Sequence, residues 1–177
     1  MYLILTFAGS IVNLAIIQVS QKFYLTETFI ANFALINTLI GFGSALASIM
    51  IGVRRSALPR LALPGCLLLS LYPITIFLYL HTQLNVVQWG FLVISVFNGF
   101  SNSILTIYLA TKIQNTFIDN TAMAFATLSI ISNITSVVTL LIAGILSSYI
   151  SFLIIFSSLI SFMNMFLIIY LNNISVK

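Results

Sequence analysis

The side chains in this sequence best placed for specific chemistry are neutral ones. Asn98, Ser101, Asn102 and Ser103 lie close together, and Asn98 and Asn102, four residues apart, share one face of any helix that carries them. Asn13, Gln18, Asn32, Asn37, Asn133 and Ser136 add further amides and a hydroxyl. An amide offers two N–H donors and a carbonyl acceptor, and a hydroxyl offers one donor and two lone pairs. Such groups bind and orient a solute; they do not exchange protons near neutral pH. The groups that do are scarce, because the chain holds two acids, one His and one Cys. The sequence contains no paired carboxylates, no Gly-rich phosphate loop, no metal-binding His/Cys spacing and no nucleophile–base pair. No enzymatic activity, metal or cofactor is expected. Cys66 sits in an apolar run and reads as a small buried hydrophobe, and His81 reads as an interfacial residue.

The elements that must position these amides are set by composition. Of 177 residues, 61% are hydrophobic and 5% charged, against about 25% charged in an average soluble domain. A bilayer core about 30 Å thick needs roughly 20 apolar residues per crossing helix. Such stretches fall at 2–20, 28–51, 61–80, 87–111, 121–145 and 150–171. They predict an all-α polytopic membrane protein in which residues 1–177 form a single six-helix transmembrane domain with the lipid bilayer as its solvent. The runs are too long for β-barrel strands of about 10 residues. The net charge of +4 comes from too few positives to suggest nucleic acid.

Breaks between the runs coincide with charge and turn chemistry. Thr26 or Thr28 is placed to cap the second helix, with Glu27 at its positive end. Arg54, Arg55 and Arg60 form a basic loop after it, held in water because burying one Arg at the membrane centre costs about 2.5–3.5 kcal/mol. Trp89 reads as an interfacial anchor, and Ser147-Ser148-Tyr149 as a tight turn. With six crossings, Arg54, Arg55, Arg60, Lys112 and Lys177 share one side and Lys22 stands alone on the other. The positive-inside rule then puts both termini in the cytoplasm of a multi-pass protein of the plasma membrane. Met1-Tyr2-Leu3-Ile4-Leu5 begins inside an apolar run with no basic lead, so a removable signal peptide is not expected.

Two patterns suggest how the helices are arranged. A shift of 92 residues lays Glu27 on Asp119, Phe33 on Phe125, Ala34 on Ala126 and Gly52 on Gly144. The first three spans then correspond to the last three, and an odd number of crossings makes the repeat inverted, a 3+3 architecture common among secondary transporters. The amides also concentrate in spans one, two, four and five. Spans three and six are blander and are expected at the periphery. Each amide has two readings: it lines a polar path, or it joins helices through hydrogen bonds that contribute about 0.6 kcal/mol on average. Gly41, Gly43, Ser44, Ala45, Ala47 and Ser48 give span two a small-residue surface for another helix, and Gly9 and Ser10 offer the same in span one. Pro64 and Pro73 predict a kink in span three.

These features resemble the C-terminal half of a major facilitator superfamily transporter, over essentially the whole chain. The loop Gly52-Val53-Arg54-Arg55-Ser56-Ala57-Leu58-Pro59-Arg60 is similar to the family's Gly-x-x-x-Asp-Arg-x-Gly-Arg loop in its Gly and basic residues, but it lacks the Asp and the second Gly. The stretch Thr106 to Gln114 resembles the end of the family's tenth helix, and Ala122 to Ser147 its eleventh; the bacterial macrolide-efflux type looks nearest. The resemblance implies a partial secondary transporter of the drug or small-molecule efflux type. It would be a truncated remnant, or it would need a second six-helix half from a separate chain or a self-dimer. The small-molecule substrate is not specified. Two other functions fit the same residues: a stand-alone substrate-capturing subunit of the energy-coupling-factor type, and a non-transporting immunity or assembly protein.

Overall fold

The computed structural model describes residues 1–22, 28–54, 58–82 and 85–174. Six helices account for nearly all of them: α1 (Tyr2–Lys22), α2 (Phe29–Val53), α3 (Leu58–Thr82), α4 (Asn85–Thr116), α5 (Thr121–Ile145) and α6 (Ile150–Ile174). Each is long and apolar enough to cross a bilayer. The chain is thus an all-α, multi-pass membrane protein. Glu27, Arg55 and Lys177 lie outside the described residues.

All the helices but α5 run past the apolar stretches drawn from sequence, and α5 matches its stretch. The most extended is α4, which continues through Lys112 to Thr116. A hydrophobicity criterion stops at the first charge, whereas the backbone ladder does not. The Lys112 Nζ lies 5.8 Å from the centre of the Tyr108 ring one turn earlier, where the aromatic face stabilises the ammonium. At the start of α2, the Thr28 hydroxyl accepts a hydrogen bond from Ala31 N–H at 3.3 Å, satisfying one of the orphan donors of the first turn. A short 3-10 turn, Ser147–Tyr149, joins α5 to α6. The α3 helix runs unbroken through Pro64 and Pro73.

Packing follows one scheme. The α2 helix lies along α4, α3 packs on both α4 and α6, and α1 packs on α5 and α6; α4 and α5 barely touch. Two apolar cores form, one towards each end of the bundle. The first gathers Val19, Tyr72, Ile76, Tyr79 and Phe91, with the Tyr72 and Phe91 rings stacked at 5.6 Å. The Tyr79 hydroxyl donates to Lys22 O at 3.1 Å, fixing the end of α1. The second core gathers Ile51, Leu58, Cys66, Ile104, Leu105 and Tyr108. Between α3 and α6, the Ser158 hydroxyl donates to Ser70 O at 2.6 Å.

The closest approach is between α2 and α4. A Cβ on Gly43 would overlap the Val96 carbonyl oxygen, and one on Gly99 would overlap the Ile40 carbonyl oxygen. Only glycine allows backbones this near. The contact makes room for two hydroxyl links one turn apart: Ser44 Oγ donates to Gly99 O at 2.9 Å, and Ser48 and Ser103 hydroxyls meet at 3.1 Å. The α1–α5 crossing carries a matching pair, Thr6 with Ser132 at 3.2 Å and Ser10 with Ser136 at 2.8 Å. In both crossings the residue numbers rise together, so the two helices run parallel.

Coverage by protein differs from the expectation that α3 and α6 are the outermost helices. The least covered are α5 and then α2, while α3 and α6 are as well covered as α1. Their outward faces are nonetheless apolar along the middle, with Leu67, Leu71, Ile74 and Leu78 on α3 and Phe152, Leu159, Met163 and Phe166 on α6; exposed polar side chains such as Arg60, His81 and Tyr170 lie towards the helix ends. The exposed faces of α1, α2, α4 and α5 are mixed and carry Asn13, Asn37, Asn102, Thr106 and Asn133.

Candidate functional site

Each amide at the centre of the bundle is placed by its position along a helix. Asn13, Asn37, Asn98, Asn102 and Ser161 all lie near the middle of their helices, α1, α2, α4 and α6. With a rise of about 1.5 Å per residue, Asn13 sits roughly 16 Å into α1, close to mid-membrane depth. Here the helices do not close on one another. A cavity of about 140 Å³ remains, lined by these five polar residues and by Leu5, Gly9, Ile40 and Leu69. An adjoining space of about 260 Å³ shares Asn13 and Asn102 and extends to Thr6, Ser10, Thr106 and Ser136. Gly9 has open space where a Cβ would stand, so it widens the cavity instead of seating a neighbouring helix.

Three of the amides are uncommitted. Among the described residues, the side chains of Asn13, Asn98 and Asn102 make no hydrogen bond with the protein, although Asn98 is only 9% exposed. Asn37 spends its N–H on Phe33 O at 2.8 Å and leaves its carbonyl oxygen free. Elsewhere among the described residues, Ser101 Oγ and Asn164 Oδ1 are fully buried without partners. An unmade hydrogen bond on a buried group costs about 1–3 kcal/mol. In hydrocarbon a cost of this kind would fall on the cavity-facing amides Asn13, Asn98 and Asn102, and polar matter in the cavity, water or a solute, would relieve it.

Among the described residues no charged side chain lines either space, and Tyr2, at one end of the larger, is the sole titratable lining residue. The site therefore presents oriented dipoles without a net field. It can hold a polar solute by hydrogen bonds, and its amides cannot relay protons.

Of the residues singled out in the sequence, the structure brings Asn13, Asn37, Asn98, Asn102 and Ser136 onto these two adjoining spaces. It does not bring the others there. Asn32 is buried and donates to Ser20 O at 3.3 Å, which makes it a link between α2 and α1. Gln18 is half-buried on α1, and Asn133 points outward from α5. Ser101 is enclosed beside Gly65 of α3. Arg54 and Arg60 are exposed at the α2 and α3 ends. Sequence reasoning missed Gly99, which the same small-residue logic applied to α4 would have found, and it missed Thr6, Thr106 and Ser161. Those three are single hydroxyl residues in apolar surroundings, and nothing in their spacing separates them from serines and threonines that bond their own helix backbone. No protein-family model, curated protein or solved structure matches this chain.

Proposed function

We propose that this chain is a six-helix half of a secondary transporter of the major facilitator type, resembling a small-molecule efflux permease. It works against a second six-helix half, supplied by another chain or by a second copy, with both termini cytoplasmic. The observation that carries this reading is the symmetry of the packing. Exchanging α1 with α4, α2 with α5 and α3 with α6 turns the α2–α4 contact into α5–α1 and the α3–α4 contact into α6–α1, and returns α3–α6 to itself. All of these are main contacts of the bundle. The hydroxyl pairs obey the same exchange, Ser44–Gly99 and Ser48–Ser103 answering Ser132–Thr6 and Ser136–Ser10. Their register puts Ser48 opposite Ser136, one helical turn from the 92-residue alignment. A 3+3 inverted repeat predicts this pattern, and in such folds the solute site lies near the midplane, at the depth of the amide cavity.

The distribution of exposed polar groups supports the second half. Lipid satisfies no hydrogen bond, yet Asn37 and Asn102 on the cavity wall and Asn133 on α5 are all exposed, while the mid-helix outward faces of α3 and α6 are apolar. The polar faces belong against water or protein. One observation favours the alternative of a stand-alone substrate-capturing subunit: the smaller cavity is bounded within a single chain, by α1, α2, α3, α4 and α6.

Cysteine accessibility in native membranes tests the proposal. Asn102→Cys and Asn133→Cys should react with a membrane-impermeant thiol reagent, and Leu71→Cys on the α3 outer face should not. Equal silence at all three positions would remove the solute path.

A further inference from the structure

We propose that the midplane cavity selects an uncharged solute bearing groups that both donate and accept hydrogen bonds, a polyol or an amide, and rejects organic cations and anions. This rests on the reading of the cavity as a wet solute site and adds the chemistry of its occupant. The wall offers three amides with no protein partner, Asn13, Asn98 and Asn102, and a fourth, Asn37, with a free carbonyl oxygen. Each free amide presents donors and an acceptor side by side. A solute that only accepts, such as a carboxylate, leaves the amide oxygens unpaired, and one that only donates, such as an ammonium, leaves the amide N–H groups unpaired. Unpaired partners are what make a polar site discriminate strongly. Charge is rejected for a second reason. With no charged side chain on the lining among the described residues, an ion entering at this depth loses its hydration and gains no counter-charge. A hydroxyl or amide group meets complementary dipoles at no such cost. The smaller space, about 140 Å³, limits the buried part of the solute to a few such groups, and the adjoining space of about 260 Å³ accommodates the rest.

The test uses the full chain in nanodiscs with a reporter on the rim, Thr106→Cys, in a Cys66→Ala background. Thr106 lines the larger space and is exposed. Reaction with a thiol reagent is timed with xylitol, urea, methylammonium or acetate at equal concentration. Xylitol or urea should slow labelling, and the two ions should leave it unchanged. Asn13→Ala, Asn98→Ala and Asn102→Ala should each raise the protecting concentration roughly 3- to 10-fold, with Asn13→Ser and Asn98→Ser separating binding loss from misfolding. Protection by an ion as strong as by the neutral probes overturns the inference, as does protection by none of the four. A reporter that never reacts, with any probe absent, overturns the wet cavity itself.

Discussion

Gly99→Ala tests the packing on which the cavity depends. A Cβ at this position overlaps the Ile40 carbonyl oxygen, and the neighbouring Ile40 carbonyl carbon and Cα also stand in its way. All three are helix backbone, so no side chain can rotate to relieve the overlap and α2 must move away from α4. Overpacking of this kind costs about 1–3 kcal/mol, and an obstruction made of backbone belongs at the upper end. The displacement also breaks Ser44–Gly99 and Ser48–Ser103, at about 0.6 kcal/mol each. A loss of about 2–4 kcal/mol follows. Gly41→Ala is the control. It lies on the same α2 helix with nothing near its missing Cβ, and replacing a helical glycine there should stabilise by up to about 1 kcal/mol. Both are read by reversible unfolding in mixed micelles with increasing sodium dodecyl sulfate. If Gly99→Ala unfolds at or beyond the wild-type midpoint, the α2–α4 backbones are not in contact and the reasoning fails.

Further perturbations probe other links. A double-mutant cycle on Ser10 and Ser136, 2.8 Å apart, should give a coupling of about 0.6 kcal/mol in the same unfolding assay; zero coupling means the α1–α5 link is absent. Thr28→Ala removes the α2 cap and should cost about 0.5–2 kcal/mol, whereas Thr28→Asp should recover most of it. Cysteines at Arg54 and Lys22, at opposite ends of the bundle, should label from opposite sides of the membrane, with Arg54→Cys reached only after the cytoplasmic face is opened. Labelling of both from one side contradicts six crossings.

The number of helices was legible in the sequence because lipid imposes a length and a polarity that few segments satisfy by chance. Their ends were less so: apolar runs stop at the first charge, but the α4 backbone ladder continues through Lys112, whose ammonium lies over Tyr108. The amides were legible as a set, since Asn at membrane depth always demands a partner. Which of them bind other helices and which stay free was not, because that depends on rotation about the helix axis. Asn32 meets Ser20 O across a helix pair, while Asn98 faces a gap. The placement of α3 and α6 was half legible. Their bland outer faces followed from composition, but their burial follows from the α3–α6 contact, which no local pattern encodes. Gly9 and Gly43 show the same limit: each is a glycine in an apolar helix, and one opens a cavity where the other seats a neighbouring backbone.

Polar matter in the middle of the bundle is what the free amides require. A high-resolution cryo-electron microscopy map of the chain in nanodiscs, bound to a rigid antibody fragment, tests it directly. Ordered density within hydrogen-bonding distance of the Asn13, Asn98 and Asn102 amides is the predicted result. A map in which these three side chains bond to one another or to neighbouring helices, with no space left between them, contradicts it.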